Sequence, residues 1–363
     1  MKRKILIAAL CLPVVVSAAW MWLVAKQQPK RVATTPAAPL PVQPASQSDV
    51  TGKSVVAAQA FLATLDDAAR GRVSFAFDSD QKSKWSNFPP GIYPRKGLRL
   101  GDLNTAQRDA FFKLLATALS QRGLQKVKEI MEGDEVLKNS EGSRGFDPQF
   151  GRDHYYIALL GTPSLTDPWM IQFGGHHLAI NVTIVGKANV MTPSLPAAQP
   201  AIYKLNSETV RPLGRENDKG FALINSLDAE QQKQAILPYQ VSDLVLGAGQ
   251  DGKMVQPEGL KVSSFSDAQK EKVLDLINEW VGILNDEAAG VKLTEVRANL
   301  AETWFAWSGP TTNGSPAYFR IQGPTLWIEY SPQRMRGSGL DINHIHTIYR
   351  DPTNDYGARL VKK

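Results

Sequence analysis

Trp169-Met170-Ile171-Gln172-Phe173-Gly174-Gly175-His176-His177-Leu178-Ala179-Ile180-Asn181-Val182-Thr183-Ile184-Val185 decides the fold class. Residues 169–173 and 176–185 are rich in β-branched and aromatic side chains, and the Gly-Gly step between them breaks the run into two strands. Similar runs occupy 154–160, 317–322, 325–330 and 342–349, punctuated by Gly161-Thr162-Pro163 and Gly323-Pro324. Trp304, Trp307 and Trp327 read either as core aromatics or as the wall of a ligand cleft.

Helical signals lie between the strands. Residues 54–70 read as one amphipathic helix. Asn104, Asp228 and Ser266 each stand three residues before a Gln (107, 231, 269), the capping-box spacing, and an apolar stripe follows. The intervals between these starts, 124 and 38 residues, are irregular, so the pattern reads as convergent capping and not as a solenoid repeat. Strand pairs separated by long helical stretches predict an α+β fold: a single mixed domain over residues 51–363, with an antiparallel or mixed sheet and several capped helices.

Of 363 residues, 43% are hydrophobic and 21% charged, which excludes disorder and a multi-span membrane protein. The net charge of +6 belongs to the N-terminus. Residues 1–50 hold six basic side chains (Lys2, Arg3, Lys4, Lys26, Lys30, Arg31) against Asp49, which leaves 35 basic and 34 acidic residues for the rest. A body near +1 lacks the phosphate-neutralising stripe of a nucleic-acid binder, so no nucleic-acid partner is expected.

Residues 5–24 (ILIAALCLPVVVSAAWMWLV) are uncharged and, as a helix, about 30 Å long, the thickness of a bilayer core. Three preceding cationic residues predict a signal anchor or transmembrane segment over 1–28, with the body exported to the periplasm or otherwise outside the cytoplasm. Cleavage after Val16-Ser17-Ala18 is the competing reading and makes the protein secreted. Residues 29–50, with five prolines before residue 49, form a tether, so membrane contact is expected through the N-terminal helix only. The one cysteine, Cys11, lies in the apolar run, so the body has no disulfide, zinc-thiolate site or cysteine nucleophile.

Four of the five histidines fall in doublets, His176-His177 and His344-Ile345-His346. In a strand His344 and His346 share a face and can offer two imidazoles to one metal ion. His176 and His177 point to opposite faces if the strand starts at once, unless Gly174-Gly175 lets both turn inward. Either doublet alone reads equally as hydrogen-bonded structural histidines. Convergence of the two is what makes a site.

The segment from Trp169 to Leu178, Asn343-His344-Ile345-His346-Thr347-Ile348-Tyr349-Arg350-Asp351-Pro352, Asn354-Asp355-Tyr356-Gly357, Gly161-Thr162-Pro163-Ser164 and Trp85-Ser86-Asn87 resemble the motifs of the family catalogued as domain of unknown function 3500. The resemblance runs from about residue 54 to the end and implies no activity. Residues 192–203 and the C-terminus, which ends without a further histidine, depart from the family pattern.

Other polar candidates surround the doublets. Glu329 sits in the apolar strand Leu326–Tyr330 and must be paired, metal-bound or solvent-facing; as a site residue it is a ligand or general base. Arg350 could grip an anionic substrate group through its planar fork, with Asp351 as a further catalytic-site acceptor, or the two could form a local ion pair. Gly247-Ala248-Gly249-Gln250-Asp251-Gly252 matches a dinucleotide-loop string, but the following Lys253-Met254-Val255-Gln256-Pro257 cannot start the required helix, so it reads as a turn. The sequence therefore points to an exported metal-dependent enzyme, a hydrolase or an oxidoreductase acting on an anionic small molecule. Its cofactor is a divalent transition metal held by His176, His177, His344 and His346. The alternative is a non-catalytic envelope module that binds a metal or a small organic ligand.

Overall fold

The computed structural model describes residues 50–140, 147–333 and 343–361. The expected anchor and most of the tether lie outside these residues. Among the described residues no helix is long and apolar enough to cross a membrane.

The chain opens with helices α1 (Val50–Ala63) and α2 (Asp67–Val73). These replace the single helix expected over 54–70: Asp66 caps α2 by accepting from Ala69 N–H, and the helix ends where its side chain takes over that donor. A first sheet follows, of β1 (Ser74–Phe75), β2 (Leu98–Arg99), β3 (Tyr156–Leu160), β4 (Trp169–Gly174), β5 (Leu178–Val185), β6 (Ala188–Val190) and β7 (Leu195–Pro196). Helices α3 (Thr105–Ala118) and α4 (Gln121–Ser140) are inserted between β2 and β3. Within this sheet, among the described residues, only the β1–β3 pair is parallel. All eight residues of β5 are buried, so this strand is covered on both faces; Leu178, Ile180, Val182 and Ile184 enter the main core.

After the hairpin β8 (Tyr203–Leu205) and β9 (Glu208–Val210) come α5 (Gly214–Ile224), α6 (Ala229–Ala235), β10 (Leu260–Lys261), α7 (Asp267–Val281) and α8 (Asp286–Ala298). The antiparallel second sheet is completed in sequence order by β11 (Trp304–Ser308), β12 (Tyr318–Gly323), β13 (Leu326–Gln333) and β14 (His344–Arg350). The molecule is thus a mixed α+β domain.

The two sheets are copies of one unit. Leu98 pairs with Ile157 as Leu260 pairs with Phe305. Ser74 lies parallel to Leu159 as Ile236 lies parallel to Trp307. Asp66 and Asp228 cap equivalent helices, and Asn104 and Ser266 open equivalent capping boxes; these pairs, like Leu98/Leu260 and Ser74/Ile236, are 162 residues apart, while Ile157/Phe305 and Leu159/Trp307 are 148 apart. Gly97 (φ +107°) and Gly259 (φ +88°) occupy one structural position, where a Cβ would come within 2.4 Å of Ile157 O and 2.3 Å of Phe305 O respectively. The capped helices are therefore not merely convergent. The interval of 124 residues compares non-equivalent helices of the two copies, and that of 38 is the spacing of two helices within one copy, matched by Asp66 to Asn104 in the other.

The contacts between copies are reciprocal. Ser120 N–H donates to Ile283 O and Asn285 N–H to Ala118 O, both at 3.0 Å, around the Leu119–Leu284 bridge. Ser194 and Tyr349 exchange both backbone bonds at 2.8 Å. The first crossing, in which Ser120 and Asn285 stand at equivalent places before their helices and each donates to the other copy, marks an approximate twofold axis; the Ser194–Tyr349 exchange is an ordinary antiparallel pair. The segment around β7 pairs on one side with β5 and on the other with β14, Ala198 and Ile345 also exchanging two bonds. It joins the two sheets and sets the start of β5 beside the start of β14, which is where the two histidine doublets lie.

Candidate metal centre

The β4–β5 turn delays the start of β5 to Leu178, so His176 and His177 precede the strand and need not alternate. Both turn inward. Gly175 allows this, because a Cβ there would lie 2.9 Å from the Tyr155 ring. Arg95 fixes the turn from outside, its Nη2 donating to Gly175 O, Ser86 O and Phe88 O at 2.6–2.7 Å. Burial pulls its guanidinium down to about 10.

His177 Nδ1 lies 3.0 Å and His176 Nδ1 3.2 Å from Asp134 Oδ1, while Tyr155 OH donates to Asp134 Oδ2 at 2.9 Å. Asp134 is 1% exposed. Burial works to raise its pKa, but His176 and His177, by charge and hydrogen bond, hold it well below the usual carboxylate range. With Nδ1–H committed to Asp134, His177 presents Nε2 to the other doublet, 3.0 Å from His344 Nε2. For metal–nitrogen bonds of about 2.0–2.1 Å, two imidazole nitrogens sit roughly 2.9–3.4 Å apart at right-angled to tetrahedral geometry. The observed separation falls in that interval.

His344 and His346 share the face of β14, their ring centroids 4.5 Å apart. One ligand atom from each of His177, His344 and His346 lies within 4.8 Å of the others, and Asp134, His176 and His177 form a second such triple. His344 Nδ1 is buried with no partner among the described residues. Burial, then the neighbouring imidazoles, drives the His344 pKa far down and that of His177 to about 3, so both rings are neutral and able to donate a lone pair. His346 Nδ1 lies 3.1 Å from Asp243 Oδ1, with Asn87 Nδ2 at 3.4–3.5 Å from the ring nitrogens. Phe150 stacks on His176 at 4.7 Å.

The other expected site residues are engaged elsewhere. Glu329 accepts from Leu246 N–H and Trp327 Nε1–H on Oε1, and from Val245 N–H and Tyr318 OH on Oε2. All its lone pairs are used, so it is neither a free ligand nor a free base. Arg350, 2% exposed, donates to Leu246 O, Gly247 O, Asp251 and Asp355, and is not offered to an anionic substrate. Together they pin residues 245–247, the start of the glycine-rich turn, and that stretch carries Asp243 to His346. Asp351 lies past the far end of β14, about 23 Å from His344 at 3.3 Å per residue. It holds Lys292 at 2.6 Å instead.

The sequence reading missed Asp134 and Asp243. Asp134 stands on α4 among Glu129, Glu132 and Glu135, and nothing local separates it from those acids. Asp243 precedes an apolar stretch in a loop and is indistinguishable from a turn former. Asn87 sits in the Trp85-Ser86-Asn87 motif, which is the one signal that pointed to it.

No curated protein matches the chain, and no solved structure does. Residues 47–358 match the model of a family described as proteins of unknown function. With most of the chain covered, including every residue of the histidine cluster, this protein is a member of the DUF3500 family.

Proposed function

We propose that the chain is a metal-dependent enzyme, with one divalent transition metal held by His177, His344 and His346. The observation that carries the reading is the orientation of His177: Nδ1 on a buried carboxylate, Nε2 turned to His344 Nε2 at 3.0 Å. A carboxylate that fixes the tautomer of a ligating imidazole is the usual outer partner of a metal-bound histidine. Three imidazoles leave a coordination position for water or substrate, next to Asn87 and Asp243. Zinc, copper, iron and manganese all accept this donor set, and the metal decides between hydrolytic and redox chemistry. An anionic substrate rested on Arg350 and loses that support. The 20-residue apolar run behind three cations supports a body tethered outside the cytoplasm.

Cobalt(II) titration of protein made without a histidine tag tests the site. Visible d–d bands should appear at one equivalent, disappear in His177→Ala and His344→Ala, and shift on addition of azide. Bands indifferent to azide indicate a closed site and favour the non-catalytic metal-binding module. Absence of bands removes the metal altogether.

A further inference from the structure

The approximate twofold axis gives the histidine cleft a counterpart in the other copy. In the second sheet Ser331 and Gln333 pair with His346 and His344; in the first sheet Thr183 and Val185, the residues equivalent by register, pair with Val190 and Ala188. By the same register Pro324 and Thr325 stand where His176 and His177 stand, since Gln322 pairs with Trp327 as Gly174 pairs with Ala179. Every metal-binding side chain of the first cleft is thus replaced by a non-ligating one. The counterpart is nonetheless a cavity. It has a volume of about 440 Å³ and lies between residues 187–192, α7, α8 and the end of β14, with Met191, Val281, Leu284, Ala288 and Val291 as its apolar wall. Ligand pockets commonly have this size and this mainly apolar lining with a few placed polar groups.

The polar groups show what is missing. Lys292 is satisfied by Asp351, Glu295 and Thr325 O. Arg359, its side chain 8% exposed, gives Nη2 to Glu295, but its Nε is buried without a partner among the described residues. Thr192 Oγ1 and Asn189 Oδ1, also on the lining, are likewise buried and unpartnered. A buried donor without an acceptor is costly, and each such group calls for a partner such as a water, an ion or a ligand. The charged lining is balanced: Lys187, Lys292 and Arg359 face Glu287, Glu295 and Asp351. A ligand carboxylate would meet Glu295 beside Arg359.

We propose that this cavity is a second binding site, for an uncharged amphipathic molecule with an apolar body and a carbonyl or hydroxyl oxygen. The apolar body lies along Val281, Leu284, Ala288 and Val291, and the oxygen accepts from Arg359 Nε. The duplication has left one cleft for a metal and one for an apolar ligand.

Calorimetric titration of the full chain with 2-decanone, and separately with decanoate, tests this. The ketone should saturate at one site and bind at least tenfold more tightly than decanoate. Ala288→Phe fills the cavity and should abolish binding; Val291→Trp, at a 61% exposed rim position that cannot disturb the core, should weaken it at least tenfold. Arg359→Lys keeps the pairing with Glu295 but loses Nε–H, and should weaken the ketone about tenfold, the worth of one buried hydrogen bond. Absence of saturable ketone binding, tighter binding of decanoate, or indifference to Val291→Trp overturns the proposal.

Discussion

Replacing Asp134 by Asn separates a carboxylate that orients His177 from one that merely fills space. The side chain keeps its size but loses its charge: its carbonyl oxygen is a weaker, neutral acceptor for the two imidazoles that converge on Oδ1, and its NH2 group cannot accept from Tyr155 OH as Oδ2 does. Its NH2 group, if turned to His177 Nδ1, forces the proton to Nε2 and blocks the nitrogen that faces His344. Loss of an outer-shell partner of this kind costs 10–100-fold in metal affinity, about 1.4–2.8 kcal/mol. Stability changes as well: three hydrogen bonds to a charged group, each worth about 1.5–3 kcal/mol, are weakened or lost, offset by the relief of no longer burying a charge. A net loss of about 2–3 kcal/mol is expected. Competition titration with a chromophoric chelator reads the first effect and denaturant unfolding the second. An Asp134→Asn protein whose metal affinity stays within twofold of wild type refutes the reasoning, whatever happens to its stability.

Lys126 and Glu216 form a buried ion pair between α4 and α5, with side chains 7% and 0% exposed. Lys126→Met should cost about 3–5 kcal/mol in urea unfolding by stranding the Glu216 carboxylate, while Lys126→Met with Glu216→Leu should recover most of it; a single variant within 1 kcal/mol of wild type contradicts this. Gly97→Ala and Gly259→Ala should be destabilising to a similar degree, about 1–3 kcal/mol or more each, because both hold positive φ and both press on a carbonyl oxygen. Gly71→Ala, in open space on α2, should instead be neutral or stabilising by up to about 1 kcal/mol, so equal effects at all three positions sink the assigned equivalence. A phosphatase reporter fused after Lys363 should be active only outside the cytoplasm, and cytoplasmic activity overturns the proposed topology.

Much of the fold was legible because its strands announce themselves. The runs at 169–173, 317–322, 325–330 and 342–349 correspond to β4, β12, β13 and β14 within a residue or a few. Their β-branched and aromatic content survives any tertiary context that buries both faces. β11 carries too short a signal of its own, since Trp304 and Trp307 read equally as core or cleft aromatics. The duplication was hidden for a different reason. Side chains have diverged at many equivalent positions, and what persists is scattered: helix caps at Asp66 and Asp228, left-handed glycines at Gly97 and Gly259, and isolated core residues such as Leu98 and Leu260.

At the site, the doublets were visible from their rarity and the shared face of His344 and His346 from strand geometry. That His176 and His177 both turn inward depends on where β5 begins, which the Gly-Gly step left open. Glu329 and Arg350 looked like chemistry because they are charged residues in apolar strands. The same burial is what recruits four hydrogen bonds to each and turns them into anchors for the loop that carries Asp243. Asp134 reaches the histidines from 42 residues upstream, a distance no local pattern spans.

The central claim is that His177, His344 and His346 hold one metal ion. Elemental analysis of protein purified without a histidine tag, beside a His344→Ala/His346→Ala variant that shows the same circular dichroism, tests it most directly. Close to one equivalent of a single transition metal per chain is expected in the wild type and essentially none in the variant. Equal metal content in the two proteins, or none in either after incubation with zinc, copper, iron and manganese, contradicts it.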